Sequence, residues 1–225
     1  MFNSEFWITW QKYFVKIIYP NIGATLRLLG SVMALSIFFG FIIAIALTMF
    51  NPRGLRPNKT IYKAMTFVIN SICSFPMIIM IVAISPITKI VMGTVIGEKA
   101  AIFPLTIAAT PFIAQTIENI FMGVDKQVIE AARSFGASDM QIIFKVILKE
   151  SVPTLISTLV LSTVSYLGAT TLAGAVGAGG LGAVALNYGY QSFNNMVLYT
   201  SVVVLFFIVL AIRAVGNWIY KISLK

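Results

Sequence analysis

The amino-acid sequence predicts an all-α, polytopic membrane protein with five transmembrane helices in one domain, residues 1–225, and three observations carry that prediction. Of the 225 residues 59% are hydrophobic and only 10% charged, whereas a water-soluble domain carries about 45–50% apolar and about 25% charged residues. The mean hydropathy is +0.94. Charge-free stretches run from Leu28 to Pro52, Ala64 to Thr88, Ala100 to Ile117 and Ser151 to Ile212, each at least as long as the roughly 17–25 residues that cross a bilayer as a helix. The last is long enough for two crossings, so spans are expected at about 22–50, 62–86, 99–119, 151–174 and 195–217.

Ahead of the first span, Trp7, Trp10, Phe14 and Ile17 recur at helical spacing while Lys12 and Lys16 fall on another side. This pattern predicts an amphipathic helix over 1–20, lying in the membrane interface. The apolar run from Ile22 to Phe50 is too long for a cleaved signal peptide, so this end is expected to stay attached. Orientation follows from the basic residues. Arg53, Arg56, Lys59, Lys63, Lys126, Arg133, Lys145, Lys149, Arg213, Lys221 and Lys225 fall on one side, against Lys12, Lys16, Arg27, Lys89 and Lys99 on the other. Because positive loops stay inside, the N-terminus is expected outside and the C-terminus inside. The same rule accounts for the net charge of +9 without nucleic acid.

In the second span Ser74, Phe75 and Pro76 interrupt the apolar run, either as a simple kink or as a bend that opens backbone carbonyls to a polar route. At the inner end of the third span Glu118 is expected to be interfacial and solvated; buried in the bilayer it would be costly and hence functional. There is no histidine, and the single Cys73 lies in an apolar span. A disulfide framework, a Cys/His metal site and a histidine acid or base are therefore excluded.

The sizeable polar surface lies between the third and fourth spans, at 120–149. Lys126 to Phe135 is helix-compatible, Gly136 is placed to end that helix in a left-handed conformation, and Ser138 with Gln141 forms a capping box for the next. The second helix then carries Met140, Ile143, Phe144 and Ile147 along one side. Two short helices joined at a tight turn make a compact projecting knob, either a solvated connector or a docking element. Small Ala131 and Ala132, flanked by Glu130 and Arg133, suit close approach by a partner.

Glu130-Ala131-Ala132, Gly136 after three residues, then Val146 and Leu148, resembles the EAA loop of ABC-importer permeases: Glu-Ala-Ala, three residues, Gly, nine residues, Ile, one residue, Leu-Pro. Val146 replaces the Ile and Lys149 the Pro, with Pro153 placed to break the helix slightly later. The remaining chain, roughly 22–220, resembles the methionine-importer permeases in particular. That likeness is carried by Gly93 to Gly97 with Ala100 to Thr106, by Pro111-Phe112-Ile113-Ala114 leading to Glu118-Asn119, and by Gly174 to Gly182 followed by Tyr188-Gly189-Tyr190. The resemblance implies a type I ABC-importer permease that works as a homodimer in the bacterial cytoplasmic membrane. Two cytoplasmic ATPase subunits would hold the ATP and magnesium, leaving no cofactor and no enzymatic chemistry on this chain, and an extracytoplasmic binding protein would deliver methionine. Another amino acid, a methionine derivative or a short peptide is the alternative cargo. The implied ATPase-coupling residues are Glu130, Ala131, Ala132, Arg133, Ser134, Phe135, Gly136, Ala137 and Met140.

Gly177, Gly179 and Gly182 also satisfy G-x-G-x-x-G, but without the preceding strand and following acidic residue that dinucleotide binding needs. Ser165, Ala169, Ala173 and Gly177 form one row of small residues, and Thr170, Gly174 and Ala178 an adjacent one. Such rows serve either close helix packing or the lining of a pathway. Leu172, bulky beside Ala173 and Gly174, is the candidate constriction, and Ser74, Phe75 and Pro76 are the other candidate lining residues. Asn187, Tyr188, Tyr190 and Gln191, with Asn194 and Asn195, form the main outer polar patch, suited to docking a protein or to an interfacial aromatic belt. An ion-coupled secondary transporter is the rival class; the internal repeats and intramembrane charges it would show are missing from the sequence.

Overall fold

A computed structural model describes residues 4–224. Residues 1–3 of the expected interfacial helix, and Lys225 of the positive side, lie outside it. Helix α1 (Ser4–Tyr13) runs through one π-helical turn, Phe14–Ile18, into α2 (Tyr19–Phe50). Together they form a continuous apolar helix, Glu5–Phe50, of 46 residues, whose contour of about 70 Å is more than twice the hydrocarbon thickness of a bilayer. The N-terminal segment is thus an extension of the first span. A π turn inserts one extra residue, and this shifts the expected Trp7–Trp10–Phe14–Ile17 face. Ile18 is the residue buried, at 1% exposure, while Trp10 stacks on Phe14 at 5.0 Å and donates its indole N–H to the Thr200 hydroxyl at 3.2 Å.

The expected second span, 62–86, is not one helix. Helix α3 (Lys59–Cys73) starts at Asn58, whose side chain accepts the Ile61 N–H, and is followed by α4 (Met77–Ala83). The two are bent by 96°. Pro76 lacks a donor and pushes Phe75 out of the helical region, so the ladder cannot pass through. Helix α5 (Ser85–Met92) then ends at Gly93 with φ +75°.

Helix α6 (Glu98–Met122) is the axis of the fold. Its Leu105, Ala109, Ile113 and Ile117 are each at most 1% exposed, as are Leu28, Val32, Ala44 and Leu47 of α2. The two helices meet closely at Gly40, where a Cβ would lie 2.9 Å from Ile113 Cγ2; small residues are the usual means of such approach in membranes.

Helix α7 (Lys126–Ser134) is followed by α8 (Asp139–Gln141), a π segment Ile142–Ile147, and α9 (Leu148–Ala173). From Asp139 the chain is helical without a break through Ala173, the end of α9, so the knob's second helix is the start of the fourth span, and Pro153 does not break it. The apolar stripe is also displaced. Ile142, Ile143 and Ile147 are buried, whereas Met140 and Phe144 are exposed, because a π segment brings residues five apart onto one side. After a non-helical turn at Val176–Gly177 come α10 (Gly180–Ala183) and a π segment to Gln191. Helix α11 (Asn195–Ser223) begins at the Asn194 cap and is peripheral, with Val202, Val203, Phe206 and Phe207 more than half exposed. Among the described residues four helices are long and apolar enough to cross a membrane, and the bent α3–α4 pair brings the number to five.

Candidate functional site

The α7–α8 turn is built as its residues dictate. Asp125 Oδ1 accepts the Gln127 N–H at 2.8 Å and opens α7. At its end Gly136 has φ +78°; its N–H goes to Arg133 O and that of Ala137 to Ala132 O, at 2.9 and 3.2 Å, the paired closure of a glycine-terminated helix. Ser138 donates its N–H to Gln141 Oε1 at 2.8 Å, and Gln141 returns its own N–H to Ser138 Oγ at 3.4 Å. A Cβ on Gly136 would meet nothing within 4 Å, so glycine is needed there for its φ alone. Ala132 and Ala137 pack inward against the core. Glu130, Ala131, Arg133, Ser134 and Met140 are exposed, and Phe135 stands out at the tip, 92% exposed.

This turn is tied to the connector 51–58 between α2 and α3. Arg56 Nε donates to Asp139 Oδ2; Arg133 reaches the other carboxylate oxygen at 3.7 Å and Leu55 O at 3.3 Å. Asn51 donates to Glu118 Oε1 at 2.8 Å and accepts the Arg53 N–H at 2.9 Å. Glu118 is therefore not the solvated interfacial carboxylate that its boundary position suggests. It is 4% exposed, held by a donor from another helix end. Gly54 presses on the end of α2, where a Cβ would fall 2.0 Å from Thr48 O. None of Asn51, Leu55 or Asp139 stands out in the sequence, because their partners lie 67, 78 and 83 positions away; the excess of opposite charges at 53–56 and 125–139 is the one available signal.

At the far end of α9 the glycine-rich stretch folds back on itself. Gly177, Gly179 and Gly180 have φ of +96°, +80° and +78°. Gly97 N–H donates to Gly177 O at 2.8 Å; Gly180 and Leu181 donate to Asn21 Oδ1 and Thr25 Oγ1 at 3.2 and 2.8 Å. Gly182 lies against α9, where a Cβ would be 2.4 Å from Thr171 Cα. Thr170, Gly174 and Ala178 are buried, and so is Ala173, which makes these residues packing surface within the subunit. Leu172 is 44% exposed, and Ser74, Phe75 and Pro76 are exposed at the α3–α4 break; α4 lies against α9. Beside that break the Gln115 amide donates to Asn70 Oδ1 at 2.6 Å, a polar pair within apolar spans that no sequence spacing announces. Asn187, Tyr188, Tyr190 and Gln191 are exposed, whereas the Asn194 side chain is taken up in capping α11. Arg27 grips Glu98 through both carboxylate oxygens at 3.0 and 2.9 Å.

Residues 36–225 match the model of the binding-protein-dependent transport system inner membrane component family. The chain is 37% identical over 193 residues to the probable D-methionine transport system permease protein of Vibrio cholerae, covering 86% of each. It is 40% identical over 169 residues to the methionine import system permease protein of Bacillus subtilis, covering 75% of this chain and 76% of that one. Among solved structures it resembles a chain of the MetNI methionine ABC transporter in inward-facing conformations, with a TM-score of 0.88, 34% identity, and 91% and 95% of the two chains covered. An amino acid ABC transporter crystallised with histidines shares the fold, with a TM-score of 0.74 at 17% identity, covering 98% and 99%.

Proposed function

The chain belongs to the family of binding-protein-dependent transport system inner membrane components, and on that premise we propose that it is the methionine-translocating subunit of an ATP-driven ABC importer. In this reading two copies form the membrane unit in a bacterial cytoplasmic membrane, N-terminus out and C-terminus in. Two ATPase subunits carry ATP and magnesium, and a binding protein delivers the amino acid from outside. This chain then contributes mechanics. The observation that carries the proposal is the α7–Gly136–α8 turn with its exposed apolar tip at Phe135.

In our reading Glu130 to Ala137 and Met140 form the surface an ATPase subunit grips, with Phe135 as the anchor and Ala131 leaving room for close approach. Because α8 continues without a break into α9, a movement of the turn passes into the fourth span as a rigid rod. The Arg56–Asp139 and Asn51–Glu118 pairs pass it to α2 and α6. Two membrane states result, each favoured by different contacts: nucleotide-bound ATPase at one end and the binding protein at the other, which is what allosteric coupling requires. The pathway runs past the Ser74–Phe75–Pro76 break and Leu172, with Ala173 and Gly174 setting the packing behind that side chain. The binding protein docks on Asn187, Tyr188, Tyr190 and Gln191.

The test is uptake of labelled methionine at low concentration by cells with and without the chain, and with Gly136→Val at matched membrane levels. A β-branched residue has ample room there but is strained at positive φ, so the turn distorts while the spans stay intact. Uptake that depends on the chain and collapses in the variant supports both cargo and coupling. Uptake untouched by deletion defeats the cargo and calls for a screen of other amino acids and short peptides; a variant that transports normally defeats the coupling surface.

A further inference from the structure

Helix α3 carries a polar stripe within the second span. Lys63, Thr66, Asn70 and Ser74 recur three or four residues apart, the spacing that sets side chains along one helix face. Lys63, Asn70 and Ser74 are exposed, and Thr66 is half-buried. Gln115 of α6 meets this stripe, its amide donating to Asn70 Oδ1 at 2.6 Å. At about 1.5 Å per residue, Asn70 lies about 16 Å along α3 from Lys59 and Gln115 about 10 Å from the Met122 end of α6, so the pair belongs to the interior of both helices and not to their ends.

That one bond leaves most of the two amides unused, since each carries a carbonyl and two N–H donors. Among the described residues, the Asn70 N–H groups and Gln115 Oε1 have no partner beyond it. In water such groups need none; at the depth of the hydrocarbon they are costly unless protein or a water-filled cavity meets them. The α3–α4 break beside the pair adds a second, independent observation. Pro76 has no N–H, and the Phe75 N–H turns back to Ile72 O at 3.2 Å. Among the described residues the carbonyls of Cys73, Ser74 and Phe75 therefore accept no backbone N–H, and Ser74, Phe75 and Pro76 are exposed. Phe112, one turn before Gln115, is exposed as well.

We infer that Asn70 and Gln115 recognise the charged end of a zwitterionic amino acid in transit, the Asn70 N–H groups taking its carboxylate and Gln115 Oε1 its ammonium. Donors and an acceptor side by side, without net charge, suit a zwitterion better than a lone cation or anion. The freed carbonyls one turn on add acceptors for the ammonium, as unwound backbone does for cations in discontinuous transporter helices. Phe112 and Phe75 offer ring edges to an apolar or thioether side chain. The inference rests on the reading of the chain as an amino-acid permease and adds the atoms that select the cargo within the membrane.

The experiment uses Cys73, the single cysteine of the chain, exposed and three residues past Asn70, as the reporter. The chain in complex with its ATPase subunits, without binding protein, is treated with a water-soluble maleimide, both nucleotide-free and with ATP and vanadate. Modification of Cys73 is followed by mass spectrometry. Cys73 should react in at least one state, and methionine should slow the reaction. Methionine amide, which lacks the carboxylate, and N-acetylmethionine, which lacks the ammonium, should protect only at concentrations on the order of tenfold higher. Asn70→Leu should erase the preference for methionine over its amide, and Gln115→Leu the preference over N-acetylmethionine. Two substitutions on different helices keep the test open if one complex fails to assemble. The proposal is overturned if Cys73 reacts in neither state, which would set the stripe against the second copy, or if methionine gives no protection. It is overturned equally if both variants keep both preferences, or if each variant loses both, which would make the pair structural. Any of these with chain-dependent methionine uptake removes the subsite and leaves the importer reading in place; uptake that does not depend on the chain removes that reading itself.

Discussion

At the α7–α8 end of the long helix Asp139–Ala173, order comes from side chains. Arg56 and Arg133 converge on Asp139, Ser138 and Gln141 cap each other, and most of these groups are exposed. At the glycine-rich end, order comes from the absence of side chains. Gly182 lets α10 lie against α9, Gly174 leaves room for Ala183, and backbone N–H groups of Gly180 and Leu181 are taken by Asn21 and Thr25. The difference teaches where each end is vulnerable. Charge is the sensitive variable at the first and volume at the second, although both turn at glycines with positive φ, Gly136 at the first and Gly177, Gly179 and Gly180 at the second.

The sharpest way to break this comparison is to add one methyl group at each end. Gly182→Ala brings a Cβ 2.4 Å from Thr171 Cα, a backbone atom that no rotamer change can move aside. We expect a loss at or above the top of the about 1–3 kcal/mol range of ordinary overpacking, seen as reduced protein in the membrane and a lowered melting temperature. Gly136→Ala meets open space and carries only the cost of a left-handed L-residue, about 1–2 kcal/mol, with normal membrane levels. If Gly182→Ala accumulates and melts like the unsubstituted chain, close packing does not hold that end together.

Asn51→Leu is expected to come next. It takes the 2.8 Å donor from the 4%-exposed Glu118 carboxylate, leaving Tyr62 as its remaining side-chain partner, and a buried acceptor that loses a partner costs about 1–3 kcal/mol, more when it is charged. Replacing both residues, Asn51→Leu with Glu118→Leu, should recover part of the loss in melting temperature, because removing both polar partners is far cheaper than orphaning one. A double variant no better than Asn51→Leu alone would show that Glu118 acts through something other than this pair.

The same contrast explains what the sequence discloses. Gly136, Ser138 and Gln141 are legible because a glycine-ended helix and a capping box are local, complete within residues 132–137 and 138–141. Spans are legible because Ala100 to Ile117 or Leu28 to Pro52 needs only composition. The π turns at 14–18 and 142–147 are not, since a stripe such as Met140, Ile143, Phe144 and Ile147 assumes an unbroken 3.6-residue period that one inserted residue displaces. Pro76 marks a disturbance in the second span, yet its sequence context does not distinguish a mild kink from the 96° bend found. The buried Glu118 is held by Asn51, 67 positions away, and by Tyr62, and hydropathy carries no trace of those pairings. At the glycine-rich stretch the composition shows small residues in rows, but which row packs inward, that of Thr170, Gly174 and Ala178, is decided by α2 and α10.

The smallest effect is expected from the pair that looks most prominent, Arg56 with Asp139. The Arg56 side chain is 69% exposed, so water and salt screen the attraction, and such pairs contribute about 0–1 kcal/mol. A double-mutant cycle with Arg56→Ala and Asp139→Asn isolates the pairwise part, because each single change also disturbs other contacts, Arg133 being held by the same carboxylate. The coupling read from melting temperature should shrink further between low and roughly 1 M salt, where the Debye length falls to about 3 Å. Transport offers a second readout. If the pair serves to carry motion from the turn to the connector, Arg56→Ala should lower the uptake rate by more than its small effect on stability accounts for, at unchanged membrane levels. A coupling above about 2 kcal/mol that persists in high salt would show that solvent does not screen this pair, whereas no coupling together with unchanged uptake would remove charge as what orders this end and with it the distinction from the volume-ordered end.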